Sequence, residues 1–190
     1  MRAVYRLIFA ASVAGAFIAA GAASAQNADW YVQGNAGASF ASRFDDNPHH
    51  DGDAGWALSG QAGRDFGNGW RADAEVLYFD AQDTHGFGRT SLLGGFVNGY
   101  YNFFNKGAWR PFVGAGVGVA DVRSFGASDT RFAYQAKVGI DHPFSDRLTG
   151  EVAYRYVGVP GLRAEGESGG FHGDYHASLV TVGLRYRFGP

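Results

Sequence analysis

His176 and Ser178 are alternate residues of one segment, with Asp174 two positions earlier. Histidine, serine and aspartate are the residue types of a hydrolytic triad. A serine nucleophile needs a base to take its proton and a carboxylate to orient that base. On a strand, alternate residues stand about 6.5–7 Å apart at their Cα atoms, which is long for an Asp174–His176 contact. A histidine and a small residue on one strand face is therefore the expectation, and no catalytic residue is assigned. Asp45-Asp-Asn-Pro-His49-His50-Asp51-Gly-Asp53 is rich in metal-ligating types. It lacks calcium-loop spacing, so it reads as a hydrated loop with no metal. Glu165 and Glu167 lie among glycines and also suit a loop. Gly114-x-Gly116-x-Gly118 has no helix after it to form a phosphate site, and no cofactor is expected.

The charges that remain fall into a pattern of a different kind. Asp65, Arg71, Asp73, Glu75, Lys137, Asp141, Glu151, Arg155, Arg185 and Arg187 all occupy polar positions of alternating segments. Five are acidic and five basic, so the set is neutral. A solvated surface has no need of that balance. A closed interior does, because an unpaired buried charge is expensive.

Eight segments alternate apolar and polar residues, the period of a strand with two unlike faces. Their apolar registers begin with Trp30 to Phe40, then Trp56 to Ala62, Trp70 to Tyr78 and Leu93 to Phe103. Val113 to Val119, Phe132 to Ile140, Leu148 to Tyr156 and Val180 to Phe188 follow. Long polar connections are expected at about 41–53, 80–90, 121–131 and 158–174, and short ones at 67–69, 105–109 and 145–147. This describes an all-β, eight-stranded up-and-down antiparallel barrel with both chain ends on the short-turn side.

The apolar face is expected to look outward, into lipid. Charges in that register occur only at segment ends, at Arg64, Asp80, Asp121 and Asp174. A cation facing lipid at mid-depth costs about 2–4 kcal/mol, and little near the interface. Aromatic residues cluster at the ends of the same face, as two membrane–water girdles would require. The glycines at 114, 116 and 118 face inward and leave room for bulky side chains of facing strands.

Residues 1–25 read as a cleavable export signal. Arg2 and Arg6 precede an uncharged apolar run, and Ala23-Ser-Ala25 supplies small residues for cleavage. Residues 26–190 then form one domain. The absence of cysteine excludes disulfide and thiol chemistry. The net charge of −2, which becomes more negative once Arg2 and Arg6 are removed, argues against nucleic acid as a partner.

Pro111-Phe-Val-Gly-Ala-Gly-Val-Gly118, Ala153-Tyr-Arg-Tyr156 and the Phe188 ending resemble the outer-membrane-protein β-barrel family, which includes small porin-like surface antigens of Gram-negative bacteria. The resemblance covers residues 27–188. It implies residence in the cell outer membrane among lipids and lipopolysaccharide, with the short turns periplasmic. It also implies assembly by periplasmic chaperones and the barrel-assembly machinery, as a monomer. Thr181, Gly183, Tyr186 and Phe188 match the C-terminal signal that this machinery reads. Members commonly finish on the aromatic residue, whereas Gly189-Pro190 follows it here. His176 and Ser178 are similar to the arrangement in lipid A deacylases.

The reading that results is a structural barrel, not an enzyme, that supports envelope integrity and is plugged by its inward charges. Glu151 and Arg185 are expected to pair across strands seven and eight, and Glu75 to reach Lys137 or Arg155. The alternatives are a narrow solute pore, a lipid A hydrolase, and adhesion through the long loops. Phe188→Ala should lower outer-membrane levels of the protein by weakening the assembly signal, and deletion of Gly189-Pro190 should be harmless or helpful. Immunoblots of isolated outer membranes check this; normal levels of Phe188→Ala would remove the assembly role.

Overall fold

The computed structural model describes residues 29–44, 55–82, 89–104, 107–124, 127–166 and 169–188. The expected export signal, the 45–53 metal-type cluster and Gly189-Pro190 lie outside those residues. Eight strands follow in chain order: β1 (Asp29–Phe44), β2 (Gly55–Asp65), β3 (Trp70–Gln82), β4 (Arg89–Asn102), β5 (Arg110–Ser124), β6 (Ala127–Pro143), β7 (Leu148–Gly166) and β8 (Gly169–Phe188). Each pairs antiparallel with its neighbour, and β8 returns to β1, so the sheet closes. Closure leaves no free sheet edge through the wall, which is what a strand-built membrane protein needs.

The outward register carries the large apolar side chains. Val76, Val117, Val138, Ile140, Val152, Val182 and Leu184 are all exposed, whereas Glu75, Lys137, Asp141, Glu151, Thr181 and Arg185, next to them on the same strands, are buried. A water-soluble barrel would show the reverse. Trp70 packs on Tyr101 and Tyr186 on Phe188 at the short-turn end, with ring centroids 5.1 and 5.2 Å apart. Trp56 packs on Tyr78 at 5.4 Å near the other end. Trp109, Phe104 and Phe144 add exposed rings in and beside the short turns, where alternation gave no signal for them.

Two expected loops prove to be strand. β5 and β6 remain paired as far as Ser124↔Ala127, and β7 and β8 as far as Gly166↔Gly169. A membrane crossing takes about 9–11 residues. β7 has 19 and β8 has 20, so this hairpin continues well past the apolar band on the long-loop side. The alternation was hidden there by Pro160 and Gly161, at a register shift between Val159 and Leu162; Gly161 adopts φ +66°. β1 likewise runs past Phe40, through a shift between Ser39 and Ala41 that reverses which residues face inward.

The glycine run on β5 also differs in detail from expectation. A Cβ on Gly114 would enter the Tyr100 ring, and one on Gly116 would meet the Asn98 amide. The glycines therefore accommodate inward side chains leaning over from the adjacent β4, not from strands across the barrel.

In intact cells, added trypsin should cut within the 158–174 hairpin, at Arg163, and leave the 105–109 turn, with Lys106, untouched. Mass mapping of the fragments checks this. Cleavage at Lys106 in sealed cells would reverse the assignment of the two ends.

Candidate functional site: the barrel interior

The inward side chains form three layers. At the short-turn rim, Arg187 lies 3.2 Å from Asp65 and 3.6 Å from Asp29, all partly exposed. Above this, Arg71 and Arg185 converge on Asp141, at 3.4 and 2.5 Å. Glu151 is 3.7 Å from Arg185 and 4.0 Å from Arg71. Asn102 donates to Asp141 and accepts from Arg71 Nε. The Arg71 guanidinium also lies over the Tyr100 and Phe112 rings, 4.9 and 5.2 Å from their centroids.

Glu75 is the centre of the next tier. Its Oε1 accepts from Arg155 Nη2 at 2.5 Å, and its Oε2 accepts from Lys137 Nζ at 2.9 Å. Gln135 and Asn98 donate to the same Oε2 at 2.8 and 3.0 Å. All four donors come from other strands, so one carboxylate joins β3 to β4, β6 and β7. Asp73 accepts from Tyr31 Oη and Asn98 Nδ2 at 2.8 and 2.7 Å. Lys137 donates onward to Tyr100 Oη at 2.9 Å. Arg71, Asp73, Glu75, Lys137, Asp141, Glu151, Arg155 and Arg185 are all buried. Four acids against four bases leave this pair of tiers neutral.

The pairings differ in detail from those drawn on sequence. Glu75 reaches both Lys137 and Arg155, from the wall opposite them. Arg185 does meet Glu151, but its shorter contact is with Asp141 on β6. The register sets Thr149, not Glu151, directly opposite Arg185. The diagonal separation that results lengthens the Glu151 contact.

The third layer is apolar. Leu77, Phe79, Leu92, Phe96, Val157, Val159, Tyr175 and Leu179 form one buried cluster with Ala57, Ala120, Val122, Ala133 and Ala177. These are inward positions of the same strands. On β3 the inward sequence runs Arg71, Asp73, Glu75, Leu77, Phe79, and on β7 it runs Glu151, Ala153, Arg155, Val157, Val159. The polar-inside reading therefore holds only for the half nearer the short turns. This change of polarity along each inward register was visible in the sequence, but alternation analysis averages over it. The neutral links Tyr31, Asn98, Tyr100, Asn102 and Gln135 were also missed. They share the inward register and carry no charge to mark them.

His176, Ser178 and Asp174 each contact a different partner. His176 Nδ1 and Tyr156 Oη are 2.7 Å apart, and Ser178 Oγ and Tyr154 Oη are 2.9 Å apart. Asp174 accepts from the Gly161 backbone N–H at 2.8 Å. Serine and histidine are thus engaged by two different tyrosines of β7, on the outer face of the barrel. The four residues expected to form the assembly signal divide between faces. Thr181 is buried inward, and a Cβ on Gly183 would meet the Asn35 amide, whereas Tyr186 and Phe188 are exposed outward. Among the described residues no group of three metal-ligating side chains occurs.

Comparison with known proteins agrees with this architecture. The chain is 31% identical over 114 residues to outer membrane protein PagN of Salmonella typhimurium, a match covering 48% of each. It thus spans about half the length of that relative. Its fold is similar to that of Neisserial surface protein A, with a TM-score of 0.68 at 16% identity, covering 86% of this chain and 100% of the other. The outer membrane protein OprG of Pseudomonas aeruginosa aligns with a TM-score of 0.50 at 13% identity, over 85% and 96% of the two chains. The profile described as outer membrane protein beta-barrel domain matches residues 9–188. With that match spanning nearly the whole sequence, the chain belongs to the outer membrane protein beta-barrel family and resides in the outer membrane of a Gram-negative bacterium.

Proposed function

We propose that the protein is a sealed structural barrel, a surface antigen that supports the envelope mechanically and does not conduct. The observation that carries this reading is the cross-lumen coordination of Glu75 by Lys137 and Arg155, roofed by the apolar layer of Leu77, Phe79, Phe96 and Leu179. A solute pore needs a continuous wet path. Here an ion passing from the short-turn end would first have to break a buried, neutral charge network. It would then have to enter a layer lined mainly by apolar side chains, with few polar groups to replace its hydration, at a cost of several kcal/mol. The extended β5–β6 and β7–β8 hairpins supply the surface display that an antigen needs. Chaperones and the barrel-assembly machinery would deliver it, and it would act as a monomer among outer-membrane lipids and lipopolysaccharide.

Planar-bilayer recordings of purified protein should show no steady open level; large, sustained conductance would replace the sealed barrel with the pore. Arg155→Ala should destabilise the barrel by about 3–5 kcal/mol, because it leaves the Glu75 carboxylate short of one cation in a buried site. Urea unfolding in detergent, followed by loss of heat-modifiable gel mobility, reads that change. The double exchange Glu151→Arg with Arg185→Glu should recover part of the stability that either change loses alone. An Arg155→Ala barrel as stable as wild type would show that the network does not hold the wall together.

A further inference from the structure

The junction of β1 with β8 differs from the other seven. Each of those lies within a hairpin, whose turn or loop helps to set its register, whereas β1 and β8 are the first and last strands described and no hairpin joins them. Their register must come from side chains. A slip by one residue would turn the inward charges into lipid, and their cost there excludes it. A slip by two residues keeps every facing, and alternation does not forbid it. Two successive inward rungs of this junction are complementary. Asn35 stands opposite Gly183, and Gly37 opposite Thr181. At the first rung the β1 side chain lies over the β8 glycine, where a Cβ would meet Asn35 Oδ1. At the second the β8 side chain lies over the β1 glycine, where a Cβ would stand 2.7 Å from Thr181 Cγ2 and meet the Val180 carbonyl. Both side chains are buried and held in place. Asn35 Oδ1 accepts from Gln33 Nε2 at 2.8 Å, and its Nδ2 donates to Ser59 Oγ at 3.0 Å. Thr181 Oγ1 donates to the Ala153 carbonyl at 3.4 Å.

We propose that this reciprocal interlock selects the register in which the barrel closes. Moving β8 by two residues in one direction sets Asn35 opposite Thr181, so two side chains compete for room that each now finds over a glycine. Moving it the other way sets Gly37 opposite Gly183 and leaves a hole in the inner wall. Overfilling and cavities both cost stability, and only the observed register avoids both. The charge brace holds β8 mainly to other strands. Arg185 reaches Asp141 on β6 and Glu151 on β7, while its hydrogen bond to Gln33 on β1 is long, at 3.4 Å. Thr181 and Gly183 thus act inside the folded wall, apart from any reading of them by assembly machinery. A conducting barrel would need the same closure, so conductance leaves the interlock untouched.

The test is refolding of the purified chain from urea into detergent micelles, with no assembly machinery present and heat-modifiable mobility as the measure of folding. Gly183→Ala should lower the folded-to-unfolded ratio by about tenfold, the effect of one overpacked methyl group. Asn35→Ala in the same chain should restore most of that loss. Register is read by disulfides, because the chain contains no cysteine. Directly opposed residues stand about 4.5–5.5 Å apart and diagonal ones about 7–8 Å, so only opposed pairs close. Ala36→Cys should cross-link with Val182→Cys, and not with Val180→Cys or Leu184→Cys. With Asn35→Gly and Thr181→Gly added, one of the latter two pairs should cross-link as well. A Gly183→Ala chain that refolds like wild type would overturn the interlock, and so would failure of Asn35→Ala to rescue it. A folded barrel with Asn35→Gly and Thr181→Gly that still cross-links only through Val182→Cys would overturn it too. If that chain does not fold, Gly183→Ala and its rescue decide.

Discussion

A carboxylate held inside a membrane protein, away from water, requires compensating charge, and Glu75 shows how this barrel supplies it. Two cations and two amides from three other strands surround its two oxygens. Desolvation makes the loss of any one partner costly, so the group behaves as a cross-brace whose members stand or fall together. The second knot, around Asp141, has the same logic, with Arg71, Arg185 and Asn102 drawn from β3, β8 and β4. Strand pairing alone joins each strand to two neighbours. The two knots join strands that do not touch through the wall, and this fixes the barrel's cross-section.

The exterior follows from the same constraint in mirror image. With charge confined inside, every outward position within the hydrocarbon can be apolar, and polar groups appear outside only near the ends. Asp80 illustrates the limit: it stands in the outward register near the end of β3, yet is buried and accepts from Tyr78 Oη at 3.1 Å. Tyrosine, with an apolar body and a polar tip, covers a polar atom at the membrane boundary. His176 and Ser178 stand beside Tyr156 and Tyr154 in the same way, polar atom to ring hydroxyl.

Strand number, order and facing were legible because each rests on a period-two pattern that the chain keeps through the membrane. The neutral total of the inward charges reflects the penalty on an unpaired buried charge, whatever the exact pairing. Individual partners were less legible. The diagonal offset between Glu151 and Arg185, and the reach of Arg185 to Asp141, depend on shear and side-chain length. The apolar upper layer was missed because Leu77, Val157 and Leu179 sit at inward positions that alternation labels polar. The long hairpins were read as loops because Pro160 and Gly161 interrupt the pattern at a register shift, although pairing resumes beyond it. The β1 shift beyond Ser39 has the same effect on parity, so a residue's facing there could be known only from its partner on β8.

The central claim, that the lumen is sealed by a polar brace beneath an apolar roof, can be tested directly because the chain contains no cysteine. Single cysteines would be placed at Ala57 in the roof, at Ser59 beside the brace, and at Leu58, outward between them. A charged, membrane-impermeant thiol reagent would then be applied from either side of reconstituted vesicles, and labelling followed by mass shift. A sealed barrel predicts that the cysteines at 57 and 59 stay unmodified from both sides and react only after unfolding. Rapid modification of either in the folded barrel would show a continuous water path through the lumen and contradict the account.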